Sequence, residues 1–203
     1  MTRQTLPGIL AMAAIVVASN ILVQYLLGDW LTWGALTYPL AFLVTDVMNR
    51  IYGTGPARQV VVVGFIVGVL CSLIAAQFDA TTLRIAVGSG LAFLAAQLLD
   101  IGVFNRLRDG AWWRAPLVST LVGSTVDTAI FFSVAFSAAL NGIEPANAPT
   151  WAQEGVPLLG AGPVLPLWVS LAVADWGVKL TLALIALVPF RLIVLRAMAP
   201  RGA

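Results

Sequence analysis

The chain has 203 residues, of which 60% are hydrophobic and 10% are charged. A soluble domain carries about 25% charged residues, so this composition excludes a soluble globular enzyme and a disordered chain. The mean hydropathy of +0.96 indicates an integral membrane protein instead. One cysteine and no histidine are present, which excludes an internal disulfide and a thiolate or imidazole metal centre. We expect neither a metal nor a cofactor.

Six segments are long and apolar enough to cross a membrane, since a spanning helix needs about 20 mostly apolar residues. They lie at residues 7–27, 31–51, 60–77, 85–104, 116–140 and 165–189. The sequence therefore predicts an all-α integral membrane protein with a single domain of six transmembrane helices. The one long connection, an outer loop at residues 141–164, is rich in proline and glycine. Connections of this length are either functional lids or plain links.

The arginines predict the orientation of these helices. If the chain crosses the membrane six times, nine of the 11 basic residues fall at one face: Arg3, Arg50, Arg58, Arg106, Arg108, Arg114, Arg191, Arg196 and Arg201. Arg84 alone lies at the other face, and Lys179 lies inside the sixth helix. Because loops rich in arginine stay in the cytoplasm, both termini are expected there. The net charge of +2 is too small to indicate a nucleic-acid partner, and the lipid bilayer is the expected surrounding.

Charged residues inside the helices mark the candidate transport path, because a charge at the bilayer centre costs about 2.5–3.5 kcal/mol or more. Asp127 and Asp175 lie near the middle of the fifth and sixth helices, the depth at which transporters commonly bind substrate. Lys179 follows Asp175 by four residues, so the two share a helix face and can pair. We predict a central polar site here. Neutral polar residues at matching depths are expected to complete it: Asn20, Gln24, Gln97, Thr120, Ser124 and Thr128.

A second set of charges lies near the cytoplasmic ends of the second and fourth helices. Asp46 precedes Arg50 by four residues, and Asp100 precedes Asn105 and Arg106. The spacing predicts that each acid pairs with the cation that follows it. Such a charge layer either fixes the register of the helices or gates the path.

Two local patterns concern helix packing. Gly64 and Gly68 form a GxxxG pattern in the third helix, which predicts close contact with a neighbouring helix. Pro39 lies inside the second helix, where a proline kinks the helix and frees backbone carbonyls near a cavity.

Short motifs distributed along the chain resemble a known family. They are Ser19-Asn20 with Val23-Gln24, Thr45-Asp46 with Arg50-Ile51-Tyr52-Gly53, Asp100 to Arg108, Trp112-Trp113 with Pro116, Ser119-Thr120 with Gly123, Asp127-Thr128 with Phe131-Phe132, and Asp175-Trp176 with Lys179. In these motifs the chain resembles the bacterial queuosine precursor transporters of the vitamin uptake transporter family. The resemblance covers roughly residues 19–58, 97–137 and 170–180. The outer loop has no counterpart in it.

The resemblance implies a multi-pass protein of the bacterial inner membrane that imports 7-cyano- or 7-aminomethyl-7-deazaguanine, or queuine, for tRNA modification. It implies a transporter that acts alone by alternating access, and no enzyme. In size and helix count the family is similar to the substrate-binding components of energy-coupling-factor vitamin importers, which need ATPase partners. Whether this chain is such a component, and whether it is a monomer or a homodimer, stays open.

A deazaguanine suits the predicted polar site. Its edge offers N–H donors at N1 and at the exocyclic amine, and a carboxylate accepts both in a charge-assisted pair. Asp127 or Asp175 is the candidate acceptor, with Asn20, Gln24 or Gln97 completing the polar edge. Aromatic rings stack on nucleobases, and the candidates here are Phe132 and Trp176. A nucleophile and base made of Ser124 and Lys179 is a weak alternative, because no hydrolase motif surrounds them.

Overall fold

A computed structural model describes residues 4–199, and almost all of them lie in helices or short connections. The helices are α1 (Leu6–Leu22), α2 (Gly34–Thr37), α3 (Leu40–Tyr52), α4 (Thr54–Gln77), α5 (Leu83–Leu107), α6 (Arg114–Phe136) and α7 (Leu167–Met198). By length and composition α4, α5, α6 and α7 can each cross a membrane, and α1 is a shorter apolar helix. Arg3 and Arg201, which contribute to the predicted charge asymmetry, lie outside the described residues.

The second predicted membrane segment is not one continuous helix. It opens with the two-residue strand β2 (Leu31–Thr32) and continues through α2 to α3. β2 pairs antiparallel with β1 (Leu26–Leu27), which is the end of the first predicted segment, where α1 has already ended at Leu22. Pro39 separates these helices because it has no backbone N–H to donate. Two shorter i→i+3 bonds carry the chain past it, from the Ala41 N–H to the Tyr38 carbonyl and from the Phe42 N–H to the Pro39 carbonyl.

The helices that carry the acidic residues run in fixed relative directions. Thr45 and Asn49 of α3 bond to Gln97 and to the carbonyl of Ile101 in α5. Both contacts have the same sequence offset, so α3 and α5 are parallel. α6 returns antiparallel against α5, and its close approach depends on Gly123: a Cβ there would lie 2.7 Å from the Phe42 ring and 3.2 Å from a carbonyl of α5.

The packing of α1 on α4 follows the GxxxG pattern. A Cβ at Gly64 would lie 2.6 Å from the Met12 side chain, and one at Gly68 would lie 3.5 Å from Val16. Met12 is completely buried there. The predicted close helix contact is thus present at Gly64, where a larger residue would force α1 away.

The connection between α6 and α7 is folded. It contains short 3₁₀ helices at Ala138–Ile143, Pro145–Asn147, Thr150–Gln153 and Leu158–Gly160, and an antiparallel pair of strands, β3 (Gly155–Pro157) and β4 (Val164–Pro166). Trp151 packs on Phe136 with ring centres 5.8 Å apart. The connection therefore packs on the end of α6. It is neither an unstructured link nor a lid that is separate from the helices.

Arg84 attaches this connection to the helices. Its guanidinium, which is 3% exposed, donates to the Val134 carbonyl at 2.7 Å, to the Ser137 carbonyl, and to the Asn141 side chain at 2.9 Å. The first two carbonyls belong to the carboxyl end of α6, where a cation is favourable. The Asn147 side chain and the backbone N–H of Arg84 hydrogen-bond to Glu144 and hold its pKa below the ordinary value.

Candidate transport site

Lys179 is the centre of a buried cluster that joins α6 and α7. Its Nζ lies 2.7 Å from Asp127 Oδ2 and 2.5 Å from Asp175 Oδ2, and it donates to the Thr128 hydroxyl at 3.0 Å. Thr128 in turn donates to Asp175 at 2.8 Å. The predicted pairing of Asp175 with Lys179 is confirmed, and Asp127, which lies 52 residues before Lys179 in the chain, joins the same cation.

Tyr38 brings a third part of the chain into this cluster, and sequence reasoning missed it. Its hydroxyl donates to Asp127 Oδ1 at 3.0 Å, and Lys179 Nζ lies 5.7 Å from the centre of its ring. Tyr38 occupies the break between α2 and α3, directly before Pro39. A polar aromatic residue beside a proline inside an apolar segment is the signal that could have identified it, because broken helices commonly form transporter sites.

The charges of the cluster do not cancel. Two carboxylates surround one ammonium, and the side chains of Lys179, Asp127 and Asp175 are 3%, 4% and 15% exposed. With both acids ionised the cluster carries one net negative charge. A buried charge of this kind is costly unless hydrogen bonds or a further positive group balance it. The cluster is thus suited to a ligand that offers N–H donors or a cation.

A second buried acidic pair lies at the interface of α3, α5 and α6. The carboxyl groups of Asp46 and Asp100 are within hydrogen-bonding distance of each other, and the two residues are 2% and 0% exposed. Asp46 accepts hydrogen bonds from Ser119 at 3.2 Å and from Thr120 at 3.1 Å. Thr120, expected in the central polar site, therefore belongs to this second pair.

The predicted pairing of these acids with following cations is wrong. Among residues 4–199 the ion pairs all involve Lys179. Arg50 donates instead to the Arg108 carbonyl at 2.6 Å. Asn105 accepts from Arg108 at 3.1 Å, and Arg106 is exposed. The arginines thus tie the helix ends together through carbonyls, and the acids face one another in the interior.

Two predicted site residues are buried close to these acids. Gln97 lies one turn before Asp100, and its Oε1 accepts from Thr45 at 2.5 Å. Its Nε2 has no hydrogen-bond partner in the described part of the chain, and neither has the Ser124 hydroxyl. Unpartnered buried polar groups of this kind are uncommon in folded proteins and call for an explanation.

Four other predicted site residues take no part in the hydrogen bonds that join the Lys179 cluster. Asn20 donates back to the Val16 carbonyl within α1, and Gln24 is exposed beyond the end of that helix. Phe132 packs among aromatic rings, 5.1 Å from Phe131. Trp176 is 39% exposed, and its indole N–H donates to Thr125. The structure does not bring these four side chains together as the polar and stacking partners of one ligand.

Comparisons with known proteins place this arrangement in a family. The sequence profile described as "putative vitamin uptake transporter" matches residues 32–194, a segment that contains both acidic clusters. The chain belongs to the vitamin uptake transporter family. This membership agrees with the composition and with the helices that are long and apolar enough to span a membrane.

Three bacterial relatives of this chain carry a more specific name. It is 41% identical to a "probable queuosine precursor transporter" of Haemophilus influenzae over 61% of this chain and 58% of the relative. It is 38% identical to the "queuosine precursor transporter" of Escherichia coli over 60% and 64%, respectively. A "probable queuosine precursor transporter" of Bacillus subtilis is 30% identical over 80% and 71%. The chain thus spans less than two thirds of the length of the first two relatives. No solved structure matches it.

Two small pockets adjoin the two acidic clusters. One of about 20 Å³ opens beside Asp46, Thr120 and residues of α7, and one of about 30 Å³ opens beside Asn20 and Tyr38. Volumes of this size hold about one water molecule, and neither pocket admits a heterocyclic base. Ligand binding at either place therefore requires the surrounding helices to separate.

Proposed function

We propose that this protein imports queuosine precursors, 7-cyano- or 7-aminomethyl-7-deazaguanine or queuine, across the bacterial inner membrane by alternating access. The observation that carries the proposal is the buried Lys179 cluster, which joins a broken helix to α6 and α7 in a chain whose relatives are named for this substrate. The named substrates have a guanine-like edge, and such an edge needs buried carboxylates of the kind that the cluster provides.

When the base binds, hydrogen bonds within the Lys179 cluster are replaced by hydrogen bonds from the cluster to the base. Asp127 or Asp175 accepts the N1 and amine N–H groups side by side, a charge-assisted interaction that is stronger than a neutral hydrogen bond. Adenine lacks this donor pair, and its binding would leave a buried carboxylate badly paired. The one negative charge in excess also favours the cationic aminomethyl form over the neutral cyano form. Asp46, Asp100 and the arginines at the helix ends then form the cytoplasmic side of the path.

Six membrane crossings with both termini in the cytoplasm are part of this proposal. The parallel course of α3 and α5 and the antiparallel return of α6 support it, since alternate crossings must run in the same direction. The arginine-rich connections then meet at one face, where Arg50 contacts the Arg108 carbonyl. The folded connection at 138–166 lies at the opposite, outer face together with Arg84.

The proposal is tested in a host that can neither make nor import the precursor. We expect expression of this chain to restore queuosine in tRNA when a deazaguanine is supplied at low concentration. Purified protein in liposomes should take up the same base without any ATPase subunit. Uptake that occurs only with ATPase subunits would favour the energy-coupling-factor alternative, and no uptake by either route would refute the proposal.

Replacement of Asp127 tests the site itself. Asp127→Asn removes one carboxylate and leaves Lys179 paired with Asp175, so we expect the protein to insert but to lose about tenfold or more of its uptake, the effect of a lost charge-assisted bond of about 1.5–3 kcal/mol. Asp109→Asn is the matched control, because Asp109 is exposed in the connection between α5 and α6. Normal uptake by Asp127→Asn at equal expression would remove Asp127 from the site.

A further inference from the structure

The Asp46–Asp100 pair differs from the Lys179 cluster in having no cation. The Asp100 carboxyl is completely buried, and its polar neighbours are the carboxyl of Asp46 and the Ser119 hydroxyl. Asp46 receives only the hydroxyl hydrogen bonds of Ser119 and Thr120. Nothing in the described chain neutralises two negative charges at this place.

The side chains that bond to Asp46 are neutral, and so are the others that line the pocket beside it. α1 and α4 pack on α3 with apolar side chains, and α7 lines the adjoining pocket with residues such as Ala183 and Phe190. α5 contributes Gln97, whose buried Nε2 is unpartnered. At the cytoplasmic end of α3, Arg50 bonds to a carbonyl and makes no ion pair with either acid. Lys179 is engaged with Asp127 and Asp175.

Two adjacent carboxyls in such a place cannot both be ionised. Their repulsion at hydrogen-bonding distance is not screened in an interior of low dielectric constant, and carboxyl pairs of this kind share one proton. With one proton, the protonated carboxyl donates to the ionised one, and the hydroxyls of Ser119 and Thr120 stabilise the remaining charge. The pair is thus a proton site that is filled while α3 and α5 stay together.

We propose that the Asp46–Asp100 pair is the proton-coupling site of this transporter: it holds one proton while α3 packs on α5 and releases it to the cytoplasm when the two helices separate. The inference rests on the proposed function, because it concerns how the import of a deazaguanine is driven. One proton enters from outside with each base and leaves on the inner side, and no covalent bond is made or broken.

The two clusters are connected through α3 and α6. Tyr38, which bonds to Asp127, is joined to α3 through Pro39, and Asp46 lies two turns further along that helix. On α6, Thr120 contacts Asp46 and Asp127 lies two turns beyond it. A base that hydrogen-bonds to the Asp127 carboxylate displaces the hydrogen bond from the Tyr38 hydroxyl. The helix α3 is then free to move. The pocket of about 20 Å³ beside Asp46 is where water would then reach the pair.

The test uses the full chain in liposomes with 7-cyano-7-deazaguanine and a pH-sensitive dye trapped inside. With the outside one pH unit more acidic than the inside, coupling to one proton allows about tenfold accumulation of the base, since a tenfold ratio corresponds to about 1.4 kcal/mol. We expect this accumulation, together with base-dependent acidification of the interior. Asp46→Asn and Asp100→Asn should each reduce the accumulation ratio to about one and abolish the acidification, whereas Asp109→Asn should retain both.

A measurement that does not depend on transport distinguishes the loss of the proton site from a failure of the variant to fold. The wild-type protein should show the infrared carbonyl band of a protonated carboxyl at neutral pH, and this band should be absent from the double variant Asp46→Asn/Asp100→Asn, which has no carboxyl left at this place. Uptake of the base with no effect of the gradient, or acidification that persists in both variants, would overturn the coupling alone. No uptake by the wild-type protein under any gradient would overturn the proposed function and the coupling with it.

Discussion

Lys179 balances two acids at once, so its removal should cost more stability than the removal of either acid. In Lys179→Met, Asp127 and Asp175 face each other across a buried gap with no cation, and breaking a buried pair in this way costs about 3–5 kcal/mol. In Asp127→Asn the cluster becomes neutral overall, and the loss should be smaller. Thermal unfolding in detergent, followed by tryptophan fluorescence, should therefore rank wild type above Asp127→Asn and Asp127→Asn above Lys179→Met. The reverse order of the two variants would show that the cluster does not hold both acids ionised.

For single residues, the sequence predicted which charged side chains lie in the interior better than it predicted which residues of other helices they contact. Spacing within one helix identified Asp175 and Lys179 as neighbours. In the structure the distances from Lys179 Nζ to Asp127 Oδ2 and Asp175 Oδ2 are 2.7 and 2.5 Å, so both acids pair with this lysine. The same rule failed for Asp46 and Arg50, because spacing tells which residues share a helix face but not what lies across from that face. Asp46 points to Ser119 and Thr120 of α6, and no pattern within α3 contains that information.

Among the elements, the connection between α6 and α7 depends on one side chain of α5. Arg84 donates to two carbonyls and one side-chain amide at once, and only the planar guanidinium has this geometry. Arg84→Lys should therefore release the connection almost as fully as Arg84→Met. Limited proteolysis from the outer face should then cut residues 138–153 several times faster in both variants than in the wild-type protein. Arg58→Lys, at an exposed position near the start of α4, is the control. Equal protection of Arg84→Lys and the wild-type protein would contradict the role of the guanidinium.

Element lengths followed from hydropathy only where the helices are continuous. The apolar runs of α4, α5, α6 and α7 are visible in the sequence because burial in lipid requires about 20 apolar residues. The break at Tyr38 and Pro39 was predicted only as a kink, since the i→i+3 bonds that carry the chain past the proline leave no trace in hydropathy. The folding of residues 138–166 was not predictable either, because it depends on Arg84 and on Gln153, which bonds to the Phe136 carbonyl at the end of α6.

For the whole molecule, the proposed topology of six crossings with both termini in the cytoplasm can be tested with fusion proteins. Alkaline phosphatase is active only outside the cytoplasm, so a fusion after Asn147 should be active, whereas fusions after Asp109 and at the C-terminus should be inactive. A fluorescent protein at the C-terminus should fluoresce, because it matures in the cytoplasm. α1 is the decisive element, since its 17 residues are at the lower limit of about 17–25 for a spanning helix. A phosphatase fused after Gly28 should be active if α1 crosses the membrane. Inactivity there, with an active fusion after Asn147, would leave an odd number of crossings between Gly28 and Asn147 and would contradict the four crossings that the proposed topology places between them.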